Sequence, residues 1–569
     1  MAEQGFDAFI VPKADVHQGE YVAPCDERLA WLTGFTGSAG FAVVSQKIAG
    51  VFVDGRYRLQ VRDQVAEDFT PVDFPENKLG PWLADQLADR DTVGFDPWLH
   101  TAGEIETAKQ AAPNLVFQPS ENLIDALWED RPPEPDAPAV AHPVEFAGET
   151  SSSKRERLAD DLRASGHKAA TITLTDSICW LLNIRGGDIP RNPIVQGLAV
   201  LHDDGQVSLF ANPNKFEGLG PDPNITIAPK SEFAPALTAL QGPVRVDKKT
   251  APLAVSSILE EAGVEVVWED DPCILPKARK NKAEIEGMRS AHIRDAVAMA
   301  EFLCWLDKEA PKGGLTEISA AQKLEGFRRG ANELQDISFE TISGAGPNGA
   351  IMHYRVTEET NRAIKPGELY LVDSGGQYLD GTTDITRTVA VGDVGEDEKQ
   401  AYTRVLQGLI AISTARFPKG ISGRDIDGLA RAPLWRAGQD FDHGTGHGVG
   451  AYLCVHEGPQ RISRISEVPL EPGMILSNEP GYYRPGAFGI RLENLIVTRI
   501  APQMGDNRDQ YDFETLTFTP FDRRLILGEL LAPWERDWLN AYHTEVFAKI
   551  SHRVSDETKS WLAAATAPL

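Results

Sequence analysis

The alternation of apolar and polar positions divides the chain into two α/β stretches and a strand-rich third. FDAFIVP (6–12) is a short apolar run closed by Pro12, the pattern of a buried strand. RLAWLTG (28–34) is spaced like the end of a helix, with Gly34 as its stop. FAVVS (41–45) and GVFVDG (50–55) read as two strands across a short turn. From 79 to 126, amphipathic segments alternate with short apolar runs such as VGFD, an α/β grammar. A proline-rich, acidic stretch around 131–143 then reads as a linker.

The second stretch repeats much of the first. SSSKRERLADDLRASG (151–166) carries a Ser start, helical spacing and a Gly stop, and AATITL (169–174) follows as a strand. ICWLLNIRGGDIPRNPIVQGLAVL (178–201) echoes RLAWLTGFTGSAGFAVV (28–44): Trp-Leu, a Gly-rich loop, then Ala-Val strand residues. VSLFANPNKF (207–216) falls where GVFVDGRYRL (50–59) fell, so the pattern predicts a duplicated α/β module. A long helical stretch at 277–309 opens the third part. Short strands with Gly- and Pro-rich turns occupy 337–500, interrupted by a helix expected over 396–417. The expected domains are 1–135 and 145–276 (both α/β), 277–510 (α+β), and 511–569 as an extension of the last.

Length agrees: 569 residues exceed what one core supports, since cores stop growing at roughly 250–300 residues. With 42% hydrophobic and 25% charged residues and a mean hydropathy of -0.28, the chain is an ordinary globular protein. A formal charge of -28 repels nucleic acid and anionic membranes, which argues against both as partners. It also means that a lone Asp or Glu carries little information. Five scattered cysteines without a CxxC argue against a disulfide framework and a Cys-rich zinc site. The first residues have no basic and apolar leader pattern, and no apolar run is long enough to span a membrane, so the expected compartment is the cytoplasm.

Chemistry concentrates in the third part. Of twelve histidines, four (His353, His443, His447 and His456) fall within about a hundred residues. In LYLVDSGGQYLDGTTDITRTV, Asp373 ends an apolar strand and Asp384 follows eleven residues later. An apolar strand, a tight turn and a return strand would set these carboxylates face to face. Two such anions need a cation, a shared proton or distance. HGTGHGVG (443–450) brings two histidines among glycines, and the helical HExxH motif is absent. Glu479 precedes a Pro-Gly turn in LSNEPGYY. Glu493 sits in the apolar strand GIRLENLIV, where a charge facing the core needs a partner; Arg491 on the same face could help, but a metal is the better candidate. Four carboxylates and one imidazole form a hard, oxygen-rich set that favours Mn²⁺ or a similar ion over structural zinc.

These segments, in this order, resemble aminopeptidase P (Xaa-Pro aminopeptidase), a three-domain member of the pita-bread metallopeptidases. The resemblance runs from about residue 7 to 500 and rests on VDSGGQY…GTTDITRT, HGTGHGVG, SNEPGYY and RLEN, and on HQGEYVAPCDERLAWLTGFTGSAG and VDGRYRLQ in the first part. It implies two creatinase-like α/β domains followed by a pita-bread catalytic domain. It implies two divalent ions per chain, Mn²⁺ with Zn²⁺ or Co²⁺ as alternatives. Asp373 would bind one, His447 and Glu479 the other, and Asp384 and Glu493 would bridge them. A bridging hydroxide would attack the carbonyl before proline, with Glu479 carrying its proton toward the leaving nitrogen. His353 and His456 are the candidates to stabilise the oxyanion, and together with His443 they match the family's substrate-binding histidines. Arg56 would reach a bound peptide, in some members from the partner subunit, so a homodimer is expected. The implied substrates are peptides with proline at the second position.

Two departures stand out: the leading helix before the first strand is largely missing, and 512–569 matches the family only loosely. Prolidase shares the metal motif but usually has one leading α/β domain. Methionine aminopeptidase has neither, and creatinase-like enzymes and inactive binding modules of this fold lose the ligand carboxylates.

Overall fold

The run at Ala8–Pro12 forms a strand buried on both faces. Ala8 and Ile10 join one apolar cluster, with Val43, Phe52, Val93 and Phe95. Phe9 and Val11 join the opposite one, with Ala42, Val51 and Val53. A period of two therefore serves two cores, which is why the sequence shows a continuous apolar run rather than an alternation. The computed structural model describes residues 1–331 and 333–569 and divides into two units, Met1–Lys277 and Ala278–Leu569.

The first unit holds two six-stranded sheets. In one the order is Phe69–Asp73, Ala49–Val53, Phe41–Ser45, Ala8–Pro12, Thr92–Phe95, Val116–Pro119. In the other it is Ile225–Ala228, Val207–Phe210, Leu198–His202, Ala169–Ile172, Val244–Val246, Val266–Trp268. Each has the same orientations: its first strand in the chain pairs antiparallel on one side and parallel on the other. In both, the helix entering the Gly-rich loop ends on a left-handed residue, Gly34 (φ 79°) or Asn183 (φ 52°). Sequence similarity between the halves thus has a counterpart in topology.

The second unit opens with the helix Lys282–Glu309. It starts later than the basic run at 277 suggests, because Asn281 caps Ala283 and Glu284 while Glu284 returns a bond to the Asn281 N–H. Residues 342–345, 368–374 and 385–391 form one antiparallel sheet. A second runs 416–418, 510–515, 494–500, 475–478, 446–448, 457–462. The helix expected over 396–417 ends at Ser413, and Phe417 instead joins the second sheet opposite Tyr511. The last segment is integral: Phe518, Phe521, Leu539, Tyr542 and Val546 share one core with Tyr402, Leu406 and Ile410 of helix Glu396–Ser413.

Candidate metal centre

Asp373 lies near the end of strand Glu368–Ser374, opposite Thr386 on the return strand Ile385–Val391. Asp384 directly precedes that return strand. The connection is not the tight turn expected from sequence but a hairpin of its own, Gly376–Tyr378 against Gly381–Thr382, which also pairs with Asp336–Ile337. Gly375 permits it: a Cβ there would lie 1.9 Å from the Thr383 carbonyl oxygen.

His447 is the middle residue of the short strand Gly446–Gly448. A Cβ on Gly446 would meet the Ser477 carbonyl oxygen at 1.9 Å, so only glycine lets the two backbones approach this closely. The His447 N–H donates to Ser477 Oγ (2.9 Å), and its Nδ1 donates to the Gly448 carbonyl (2.8 Å). That bond fixes the tautomer and turns Nε2 toward the carboxylates. Nε2 lies 3.5 Å from Asp384 Oδ2 and 3.6 Å from Glu479 Oε1. Glu479 follows strand Ile475–Asn478, held by its N–H to the Thr445 carbonyl (2.8 Å) and by Ser477 Oγ donating to Oε1 (3.2 Å).

Glu493 is not inside a strand, as its apolar neighbours suggest, but in the break between Phe488–Arg491 and Asn494–Ile500. Nor is Arg491 its counter-ion. Arg491 Nη2 donates to Asp373 Oδ2 (2.6 Å) and Nη1 to Tyr483 Oη (2.7 Å). Glu493 Oε2 instead accepts from Thr386 Oγ1 (2.8 Å). Tyr483 and Thr386 escaped sequence reasoning; pairing of strands 481–484 and 488–491 brings Tyr483 in, a register the sequence does not reveal.

Of the expected residues, Asp384, His447 and Glu493 each offer a ligand atom within 4.8 Å of the other two. Glu479 and Asp373 adjoin them through the contacts above. The His456 ring packs edge-on against His447, centroids 4.3 Å apart. His443 Nε2 meets Tyr483 Oη at 2.9 Å, so the order His443, Tyr483, Arg491, Asp373 is one chain of hydrogen bonds. His353 sits on a turn beside Tyr354, whose hydroxyl donates to the buried Glu317 (3.0 Å). Arg56 belongs to the first unit, where Asp54 (2.8 Å) and Glu20 (3.7 Å) hold its guanidinium.

The electrostatics ask for cations. Burial, then the Asp373 and Glu479 charges, push the Asp384 carboxyl well above its ordinary range. Burial, then Asp384 and Asp373, do the same to Glu493. Burial also raises Glu479, opposed by His447 and Arg491. Asp373 Oδ1 and Glu493 Oε1 are buried with no hydrogen-bond partner, which nothing in an ordinary core justifies. The 3.5 Å spacing of His447 and Asp384 is too long for a good hydrogen bond, yet an ion about 2.1 Å from each holds its donors about 3.4 Å apart. The donor set fits divalent metal. The five cysteines are free thiols, and no described helix is long and apolar enough to cross a membrane.

Comparison with known proteins agrees with this geometry. The model of metallopeptidase family M24 matches residues 286–499, and that of the C-terminal region of peptidase M24 matches 509–569. The second match corrects the expectation that the last stretch departs from the family. Creatinase/prolidase N-terminal domain models match 1–127 and again 130–284. A probable Xaa-Pro aminopeptidase P of Talaromyces marneffei is 40% identical over 100% of this chain and 91% of its own. The crystal structure of an X-prolyl aminopeptidase from Caenorhabditis elegans, described as a cytosolic enzyme with a di-nuclear active site, aligns with a TM-score of 0.93 at 35% identity. It covers 99% of this chain and 95% of its own. An Xaa-Pro dipeptidase from Bacillus anthracis aligns with a TM-score of 0.53 at 25% identity, covering all of itself but 66% of this chain. The chain belongs to metallopeptidase family M24, in the aminopeptidase P branch that carries two creatinase-type domains ahead of the catalytic one.

Proposed function

We propose that this chain is a metal-dependent exopeptidase that removes the first residue of peptides whose second residue is proline. The observation that carries the reading is the cluster of buried Asp384 and Glu493 with half-buried His447, flanked by Asp373 and Glu479, in a chain whose sequence opens with two creatinase-type domains. Asp373 would hold one ion, His447 and Glu479 the other, with Asp384 and Glu493 between them. The hard donors support Mn²⁺ over Zn²⁺ or Co²⁺. Four carboxylates balance two divalent charges. Bound there, such ions supply Lewis acidity and a hydroxide nucleophile at neutral pH.

The protein's side chains do the rest. Glu479 can take the proton released by the nucleophile and pass it to the leaving proline nitrogen. His456, against His447, and His353 supply donors for the developing oxyanion. His443, tied to Tyr483, contacts the peptide, and the family resemblance gives Arg56 a peptide-binding role, in some members from the partner subunit. Proline matters because the Xaa-Pro bond has no N–H, so the site must recognise a tertiary amide. The domain reading is 1–135, 145–276 and 277–510, with 511–569 as an extension of the catalytic part. A cytoplasmic homodimer follows from the family resemblance, and the C. elegans relative's description as cytosolic supports the compartment.

A dipeptidase reading is disfavoured by the third of this chain that the B. anthracis enzyme leaves uncovered. Hydrolysis of Arg-Pro-Pro separates the two: release of free Arg is expected, and activity confined to Xaa-Pro dipeptides would overturn the proposal.

A further inference from the structure

Arg387 is fully buried, and its guanidinium is spent on neutral oxygens. Nη1 donates to the carbonyls of Thr386 (2.9 Å) and Glu493 (2.5 Å). Nη2 faces the side-chain oxygen of Asn494 (2.8 Å), the Thr519 carbonyl (2.7 Å) and Tyr542 Oη (3.1 Å), and Nε donates to the Pro520 carbonyl (3.2 Å). None of these acceptors is a carboxylate, whereas the fully buried Arg328 has Asp295. A desolvated cation without a counter-ion is costly and persists only where geometry demands it.

Its acceptors fall into two groups. Thr386, Glu493 and Asn494 belong to the metal centre and its flank. Thr519, Pro520 and Tyr542 belong to the C-terminal region matched over 509–569. Further bonds reinforce the join: the Leu495 N–H donates to Thr517 Oγ1 (2.9 Å), and Tyr542 Oη lies 2.9 Å from the Thr519 carbonyl. The Arg387 fork lies over the Phe521 ring, 4.3 Å from its centroid. Glu493 sits in a break between strands, so no ladder fixes it. Three bonds hold it instead: its own N–H on the Thr386 carbonyl (3.1 Å), Thr386 Oγ1 on its carboxylate, and Arg387 on its carbonyl.

We propose that the C-terminal region is a working part of the metal centre, joined to it by Arg387, which acts as a positioning residue for Glu493. The inference rests on the reading of Glu493 as a metal ligand. Only a planar fork reaches both groups; lysine keeps the charge but cannot span them. Residues that orient metal ligands typically change metal affinity 10–100-fold when lost.

The test is calorimetric titration of Mn²⁺ into the metal-stripped full-length chain, for the parent protein, Arg387→Lys and Glu493→Gln. Folding is checked by circular dichroism and kinetics by Arg-Pro-Pro hydrolysis. Arg387→Lys is expected to bind at least one ion tenfold or more weakly, with a lower kcat and a KM within twofold of the parent. A folded Arg387→Lys with parental Mn²⁺ affinity would overturn the proposal. If Glu493→Gln binds both ions like the parent, the ligand reading itself falls. Should Arg387→Lys not fold, hydrogen exchange on the parent protein decides. Mn²⁺ is expected to slow exchange at Thr519, Phe521 and around Tyr542, and unchanged exchange there overturns the proposal.

Discussion

Removing the metal should invert how stability depends on pH. Asp384, Glu493 and Glu479 all have carboxyl pKa values raised in the folded, metal-free protein, first by burial. A raised folded-state value means that the native state holds more protons than the unfolded chain. Stability is then greatest below the ordinary carboxylate range, near pH 4, and falls as pH rises toward the raised values. Each such group contributes at most a slope of about 1.4 kcal/mol per pH unit inside its window, and because neighbouring carboxylates raise one another the proton uptake is shared rather than additive. Mn²⁺ displaces those protons, so its affinity rises with pH and its stabilising effect grows. Scanning calorimetry in EDTA and in excess Mn²⁺, from pH 5 to 8, measures both curves. The gap between the two melting temperatures should widen steadily with pH. A gap that stays constant, or a metal-free protein that gains stability across this range, would refute the electrostatic account of the site.

Arg328 binds Asp295 through two bonds of 2.8 and 3.0 Å, with Tyr378 Oη donating to the same carboxylate. Arg328→Met should therefore destabilise by about 3–5 kcal/mol in urea unfolding, and adding Asp295→Leu should recover much of it. Gly446→Ala would drive a methyl group into the Ser477 carbonyl at 1.9 Å. Its expected result, read by Mn²⁺ titration, is loss of metal binding at His447. Tyr483→Phe breaks the link between His443 and Arg491. It should lower kcat about tenfold while leaving Mn²⁺ stoichiometry unchanged, as expected for one hydrogen bond to a charged group.

The metal centre was legible because its residues lie in short motifs whose order is diagnostic even though each alone is weak. Strands with both faces buried, such as Ala8–Pro12, were legible as apolar runs. What stayed hidden depends on pairing between distant segments. Arg491 shares a local spacing with Glu493, yet strand register sends it to Asp373. The hairpin between Asp373 and Asp384 is folded by its pairing with Asp336–Ile337, some forty residues earlier. Helix Lys282–Glu309 starts at the end of the basic run rather than at its head, because the Asn281 cap, not charge, sets its first turn. The packing of 510–569 against helix Glu396–Ser413 rests on core contacts rather than motifs, so the sequence shows 511–569 only as an extension of the catalytic part.

The most direct test of the two-metal account is metal content and Arg-Pro-Pro cleavage measured together on the same preparations. The metal-stripped chain should be inactive. Activity should return as two Mn²⁺ ions per chain are bound, and Asp384→Ala should neither bind both ions nor recover. Full activity in the stripped chain, or in Asp384→Ala, would contradict it.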